Sequence, residues 1–284
     1  MDTIKQGFLL LRPSHWSKSL FVLLGVFYSQ AKDFMIPALF AALAFSLISS
    51  AVYIYNDIQD RSEDSLHPNK KFRPLASNQV ALSHAAIALF GLLISGLILG
   101  WIISKPLALI LSTYLLINLA YNHLLKLIPI LDVLCIASGF MLRVLAGTIG
   151  IGLPISIWLT LATTLVSLFI ALNKRRLELQ LGLNLQQPTR QVLEKYSPIL
   201  LDRAIVITGS ASFITYLLYT LYAHADSFYF IVTLPFAAFA LWRFAFLSTG
   251  NVDNDDPVNV FLHDRLSRFN LYCFIILTFM ALSK

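Results

Sequence analysis

Long apolar runs divided by short polar connections constrain this chain more than any other feature. They fall near 19–31, 34–55, 81–103, 106–124, 130–151, 155–172, 203–223, 228–247 and 266–283. A helix that crosses a bilayer needs roughly 20 mainly apolar residues. Backbone groups in lipid must be satisfied within each segment, which makes helices the default. Strand alternation is absent, and the runs are too long for a β-barrel. Composition agrees: 57% of residues are hydrophobic and only 13% are charged, against about 25% charged in soluble domains. The expected fold is all-α, a polytopic membrane bundle of about nine helices forming one domain over residues 1–284. No internal repeat or low-complexity segment divides it. The first run is short and is expected to sit obliquely beside an amphipathic N-terminal segment.

The N-terminal stretch is not read as a cleavable leader, because Arg12, Pro13 and Lys18 interrupt its apolar run. Cys135 and Cys273 lie alone in apolar runs and read as packing residues.

The basic residues set an orientation. With the N-terminus inside, the outer ends hold only Lys32, Lys105 and Lys284, and Arg143 lies within a span. All other members of the 21 Lys and Arg fall at inner ends. An odd helix count then places the C-terminus outside and the long loops at 57–80, 173–202 and 248–265 on the cytoplasmic face. The net charge of +6 is therefore local. It would attract anionic headgroups or an anionic substrate, and no nucleic-acid partner is expected.

The densest chemistry is Asn56-Asp57-Ile58-Gln59-Asp60-Arg61-Ser62-Glu63-Asp64, which holds four of the 15 acidic residues. If the preceding helix continues through it, Asn56, Asp60 and Asp64 share a face at i, i+4, i+8, with Asp57 three residues before Asp60. Like charges so close repel. A hard divalent cation would relieve that repulsion, and Mg²⁺ often binds through one or two carboxylates plus substrate phosphates. The alternative is a solvated charge run at a helix end. Scarce acids at membrane depth favour a metal or diphosphate site. Asp57, Asp60 and Asp64, with Asn56, are the expected metal ligands. His67 and Pro68 lead into Lys70, Lys71 and Arg73, and with Pro74 they stiffen a basic loop opposite the acids. Cations beside an Mg²⁺ site make a polyphosphate clamp, although positive-inside topology alone also places such residues.

NDIQDRSED resembles the NDxxDxxxD signature of the UbiA superfamily of intramembrane prenyltransferases. LRPSHWSKSLFVLLGVF, NDIQDRSEDSLHPNKKFRPLAS, ILDVLCIASGFMLRVLAG, SLFIALNKRRLEL and DDPVNVFLHDR are similar, in order, to blocks of its decaprenyl-phosphate phosphoribosyltransferase branch. The resemblance implies a nine-helix fold and Mg²⁺-dependent transfer. The donor would be 5-phosphoribosyl 1-diphosphate, the acceptor a polyprenyl phosphate and the by-product diphosphate. The implied setting is cell-envelope biosynthesis at a bacterial plasma membrane, with the site on its cytoplasmic face. Asp57, Asp60 and Asp64 take the catalytic role in that reading.

Aromatic prenyltransferases of the superfamily carry a second aspartate-rich motif after the sixth helix. This chain has Asn173-Lys174-Arg175-Arg176-Leu177-Glu178 there. Lys174, Arg175 and Arg176 are candidates for the donor 5-phosphate or the acceptor phosphate. Lys70, Lys71 and Arg73 are candidates for the donor phosphates. Asp132 and Arg143, eleven residues apart on about one helical face, are either a structural pair or leave Arg143 to contact phosphate or lipid. Arg12, His15, Trp16 and Lys18 are expected to border lipid entry, with Lys18 a substrate contact, although Trp16 also reads as a simple interfacial anchor. Asp255, Asp256, His263, Asp264 and Arg265 are either a lid or a solvated loop. An aromatic prenyltransferase is the competing enzyme. A transporter is the competing class, disfavoured because the acids sit at a helix end and no repeat appears.

Overall fold

The computed structural model describes residues 2–66, 70–185, 191–223, 227–250 and 257–283. His67, Pro68, Asn69, Arg190, Asp255 and Asp256 lie outside them. Every regular element among the described residues is helical. Seven helical stretches are long and apolar enough to cross a membrane: Lys32–Gln59, Leu82–Ile103, Leu131–Ile151, Ile157–Gly182, Pro198–Ala223, Phe228–Thr249 and Arg265–Leu282. The expected run at 106–124 is also helical, as Lys105–His123. Many large apolar side chains on these helices stay exposed, among them Ile94, Ile98, Phe246, Ile276 and Phe279. Such a surface suits hydrocarbon, not water.

The run at 19–31 departs from expectation. It forms a 3-10 stretch, Pro13–Leu23, and a short α-helix, Leu24–Ser29. Arg12 opens this stretch in the left-handed region with φ 50°, and Pro13 cannot donate a backbone hydrogen bond. The segment is also held sideways at close range. A Cβ on Gly147 would overlap the Val22 carbonyl, and one on Gly25 would overlap Thr148. Trp16 Nε1 donates to Ser50 Oγ at 3.0 Å, and Ser50 Oγ donates to the Leu11 carbonyl at 2.7 Å. Hydropathy registers the apolar character of the run but not these lateral ties.

The chain forms two compact units. One comprises residues 1–123 and 139–155; the other comprises 124–138 and 156–284. The helix Leu131–Ala146 gives its first half to the second unit and its second half to the first.

The first unit is built around the helix Met35–Gln59, called here the motif helix. Its buried face is mostly small: Ala38, Ala41, Ala44, Ser46, Ser49, Ser50 and Ala51. Small residues let helices approach closely where lipid supplies no hydrophobic drive. Gly96 of the neighbouring helix Leu82–Ile103 lies against Ile48 and the Ala44 carbonyl, with no room for a Cβ. Phe45, Ile48, Val52, Leu107, Leu111, Tyr114 and Leu142 fill the core around it. In the second unit, Ile157–Leu185 packs on Pro198–Ala223, and Phe228–Gly250 packs on Arg265–Leu282. Phe169, Ile205 and Phe244 join a smaller cluster there.

Candidate active site

The acidic motif lies at the end of the motif helix, within the first unit. The α-helix stops at Gln59; Asp60 is its C-cap, with φ −88° and ψ 6°, and a new short helix runs Arg61–Leu66. Backbone bonds still run four residues back across this point, from Asp60 N to the Asn56 carbonyl and from Asp64 N to the Asp60 carbonyl, both at 2.8 Å, which keeps Asp57 and Asp64, seven residues apart, on one face. Asp57 and Asp64 are both buried and converge on one guanidinium. Arg73 Nη1 donates to Asp57 Oδ1 at 3.1 Å and to Asp64 Oδ2 at 2.5 Å. Arg12 Nη2 donates to the same Asp57 oxygen at 2.5 Å. Lys70 Nζ lies 3.8 Å from Asp64 Oδ1. Buried carboxylates must be paired, and these are paired by three cations.

Of the expected ligands, Asp57 and Asp64 are thus brought together through Arg73. Among the described residues, no three His, Cys, Asp or Glu gather as a metal cluster. The Asn56 carboxamide oxygen accepts from Asn122 Nδ2. Next to it, Tyr55 Oη lies 2.7 Å from His123 Nε2. What does assemble still suits a hard cation. Two buried carboxylate oxygens, from Asp57 and Asp64, reach a common point that already holds positive charge. A divalent ion bound through two carboxylates, water and substrate phosphate requires that donor set.

The loop that carries Arg73 is tied down. Arg73 N donates to the Lys70 carbonyl at 2.9 Å, and Ser77 returns both N and Oγ to the Arg73 carbonyl, at 2.9 and 2.8 Å. Arg61 Nε donates to the Leu75 carbonyl at 3.2 Å, and its Nη2 to Asn78 Oδ1. Lys71 is exposed, with its ammonium 5.2 Å from the Phe72 ring centroid. Lys18 Nζ sits 3.4 Å from His15 Nδ1, and that nitrogen is 3.2 Å from Tyr53 Oη. Arg12, expected only to border lipid entry, thus touches the acids directly. Its signal was a basic residue beside Pro13 in the first block. Asn122 and His123 carried no such signal.

Arg143, also in the first unit, is buried and meets no carboxylate among the described residues. Nη1 donates to the Gly139 carbonyl at 2.7 Å, and Nη2 to Ser49 Oγ at 3.1 Å. Nε is buried without a hydrogen-bond partner. The guanidinium carbon stands 4.7 Å from the Phe45 ring centroid, 5.1 Å from Tyr114 and 5.7 Å from Phe140. Aromatic faces therefore hold this charge in place of a counter-ion. The Asp132–Arg143 pair does not form, since eleven residues of one helix span about 16 Å, and Asp132 has another partner.

That partner is Arg175, in the second unit. Arg175 Nε donates to Asp132 Oδ2 at 2.5 Å, and Nη1 to Glu178 Oε2 at 2.6 Å. Arg175 and Asp132 are 1% and 0% exposed, so this is a sealed pair. Tyr196 donates to Asp132 Oδ1 at 2.5 Å and accepts from Ile130 N at 2.8 Å. Burial, then the bond to Asp132, pushes the Tyr196 phenol above its ordinary range, so it stays a donor. Arg176 forks onto both oxygens of Asp202. Lys174 alone of the three cations has no carboxylate partner among the described residues. Asp264 caps the helix Arg265–Leu282 through Ser267 N at 2.9 Å and takes both Arg243 bonds, at 3.1 and 2.9 Å. The Arg243 bond holds the Asp264 carboxyl well below the usual range.

The model of the UbiA prenyltransferase family matches residues 19–264. The chain belongs to the UbiA prenyltransferase family. Among relatives of this UbiA chain is the decaprenyl-phosphate phosphoribosyltransferase of Mycolicibacterium smegmatis. It is 32% identical over 276 residues, covering 90% of this chain and 86% of that protein. The protein of the same name from Corynebacterium glutamicum is 32% identical, over 90% and 80% of the two chains. Among solved structures, a UbiA homolog from Archaeoglobus fulgidus bound to GPP and Mg²⁺ shares the fold. Its TM-score is 0.70 at 17% identity, with 100% of each chain covered.

Proposed function

We propose that this UbiA-family protein moves a 5-phosphoribosyl group from 5-phosphoribosyl 1-diphosphate to a polyprenyl phosphate of decaprenyl type, releasing diphosphate. The name of its bacterial relatives supports the reaction. The family match, which runs across both compact units, supports treating 1–284 as one UbiA-like transmembrane domain. The basic bias at inner helix ends supports a site on the cytoplasmic face of a bacterial plasma membrane.

One observation carries the choice against prenyl transfer. Around Lys174–Arg176, the acids Asp132, Glu178 and Asp202 are engaged by Arg175 and Arg176. Each of these acids is already held by an arginine rather than left open to a second metal, and Lys174, which has no carboxylate partner among the described residues, is the cation suited to a phosphate. Arg143 adds a second argument. The Phe45, Tyr114 and Phe140 faces, which would suit a prenyl carbocation, are already taken by a guanidinium.

In this reading Asp57 and Asp64, with Asp60 next to them, hold Mg²⁺, and Asn56 buttresses the motif through Asn122. The ion's chemistry is to neutralise charge on the departing diphosphate. Arg73, Lys70, Lys71 and Arg12 orient the donor phosphates and balance their charge. Lys174 and Lys18 serve as phosphate contacts; Arg175 and Arg176 shape the helix from which Lys174 projects. The acceptor phosphate is anionic near pH 7, so attack on the anomeric carbon needs no strong general base. The protein's contribution is orientation and fixed charge.

The test is purified protein with radiolabelled donor and a series of polyprenyl phosphates, with and without a chelator. The expected result is labelled lipid that requires the divalent ion. Intact donor alongside consumption of a prenyl diphosphate with an aromatic acceptor would replace this reading by prenyl transfer.

A further inference from the structure

We infer that Arg73 and a divalent cation compete for one position between Asp57 and Asp64, so that the cation enters well only when diphosphate takes up the displaced guanidinium. This rests on the reading above only in taking a diphosphate as ligand.

The geometry is specific. One nitrogen, Arg73 Nη1, bonds an oxygen of each acid, at 3.1 and 2.5 Å. A cation that uses both oxygens must stand where that nitrogen stands. Arg73 cannot make room by losing its proton, because a guanidinium stays charged in proteins. It must move. Its backbone is fixed by the Lys70 and Ser77 bonds, so the motion belongs to the side chain. That side chain is 28% exposed, whereas the two acids are 3% and 4% exposed. The cation therefore has an outward path and the carboxylates do not. Displaced but tethered, the guanidinium remains beside the new ion, with a planar fork that matches phosphate oxygens.

The charge accounting points the same way. Arg12, Arg73 and Lys70 already compensate Asp57 and Asp64. Adding a divalent ion alone makes the site strongly positive and strands Arg73. Adding it with diphosphate supplies the missing negative charge and a partner for Arg73. Metal and diphosphate should therefore bind with positive coupling, and each should raise the other's affinity by the same factor.

The experiment uses the full-length protein in detergent, Mn²⁺ as the probe and inorganic diphosphate as the second ligand. Free Mn²⁺ is read by electron paramagnetic resonance and corrected for the Mn²⁺–diphosphate complex in solution. Wild type should bind Mn²⁺ weakly alone and more tightly with diphosphate. Arg73→Gln should bind Mn²⁺ alone about tenfold more tightly, the effect of one lost charge-assisted competitor, and most of the diphosphate enhancement should vanish. Arg61→Gln loosens the same loop without freeing an acid and should match wild type. Unchanged or weaker Mn²⁺ binding by Arg73→Gln overturns the inference, as does failure of wild type to bind Mn²⁺ under either condition.

A second measurement needs no variant. Phenylglyoxal labelling of Arg73 in wild type, followed by mass spectrometry, should quicken when Mn²⁺ is raised until it occupies the site unaided, and slow again when diphosphate is added. A rate indifferent to Mn²⁺ overturns the exchange. Neither measurement involves ribosyl transfer, so failure of the proposed reaction would appear separately, as an absence of labelled lipid.

Discussion

The two ionic centres use the same groups for different ends. In the first unit, Arg73 bridges Asp57 and Asp64 from a loop and keeps about a quarter of its side chain in contact with solvent. In the second, Arg175 bridges Asp132 and Glu178 from within a long helix and is sealed from solvent. Tyr196 completes the second centre and fixes the segment after residue 191 to the start of Leu131–Ala146. A bridge made from an exposed side chain can be exchanged for a ligand. A sealed one can only be broken, and breaking it leaves a buried charge. The difference teaches that an arginine's neighbours do not fix its role; its route to solvent does.

Removing each charge in turn tests that contrast. The largest effect should come from Arg175→Ala, which strands Asp132 in the interior. We expect a stability loss of about 3–5 kcal/mol, read as a lower unfolding temperature in detergent and poor recovery from membranes. A variant of normal stability would place Arg175 with the exchangeable cations. Next comes Asp60→Asn, at the helix break. Loss of one charge that stabilises the leaving group should lower kcat by about 10²–10³-fold, with insertion and purification unchanged. Near-normal turnover would remove Asp60 from the metal site and leave it to Asp57 and Asp64.

Lys174→Ala separates the neighbours within the basic stretch. It should lower kcat/KM by roughly ten- to a hundredfold, the worth of one charge-assisted contact of about 1.5–3 kcal/mol. Thermal stability should hold, the reverse of the Arg175 result. Full activity would make Lys174 a topology signal only. The smallest effect belongs to Asp264→Ala, which deletes the cap of Arg265–Leu282 and should cost about 1 kcal/mol. Because the folded Asp264 carboxyl titrates below its unfolded value, its contribution is present above the ordinary carboxylate range. It fades as pH falls through the folded value. A melting profile between pH 5 and pH 8 should therefore show no step from this pair.

Much of the fold was legible in the sequence, because a spanning helix demands a long apolar run and little else imitates one. The N-terminal run misled because hydropathy reports burial and says nothing of a left-handed Arg12 before a proline. The acids were legible as a site, yet their pairing was not. Helical spacing brings Asp57 and Asp64, two of the expected ligands, to one face, but nothing local reveals that Arg12 and Arg73, 45 and 16 residues from Asp57, are the cations that pair them. The basic stretch was legible as charge. Its division was not: Glu178 is a local partner of Arg175, but Asp132 and Asp202, which also engage Arg175 and Arg176, lie 43 and 26 residues away in sequence.

The contact between Gly147 and Val22 has a consequence for biogenesis. Val22 leaves the ribosome early, but the glycine against which its carbonyl rests follows 125 positions later. At about 5–20 residues per second of synthesis, the N-terminal segment waits roughly 6–25 seconds for its seat. During that interval residues 124–138, which belong to the other unit, have already emerged. The first unit therefore cannot mature as an independent N-terminal half. A nascent chain arrested before residue 147 should leave Val22 open to the lipid or to the insertion machinery, and release beyond residue 155 should close it.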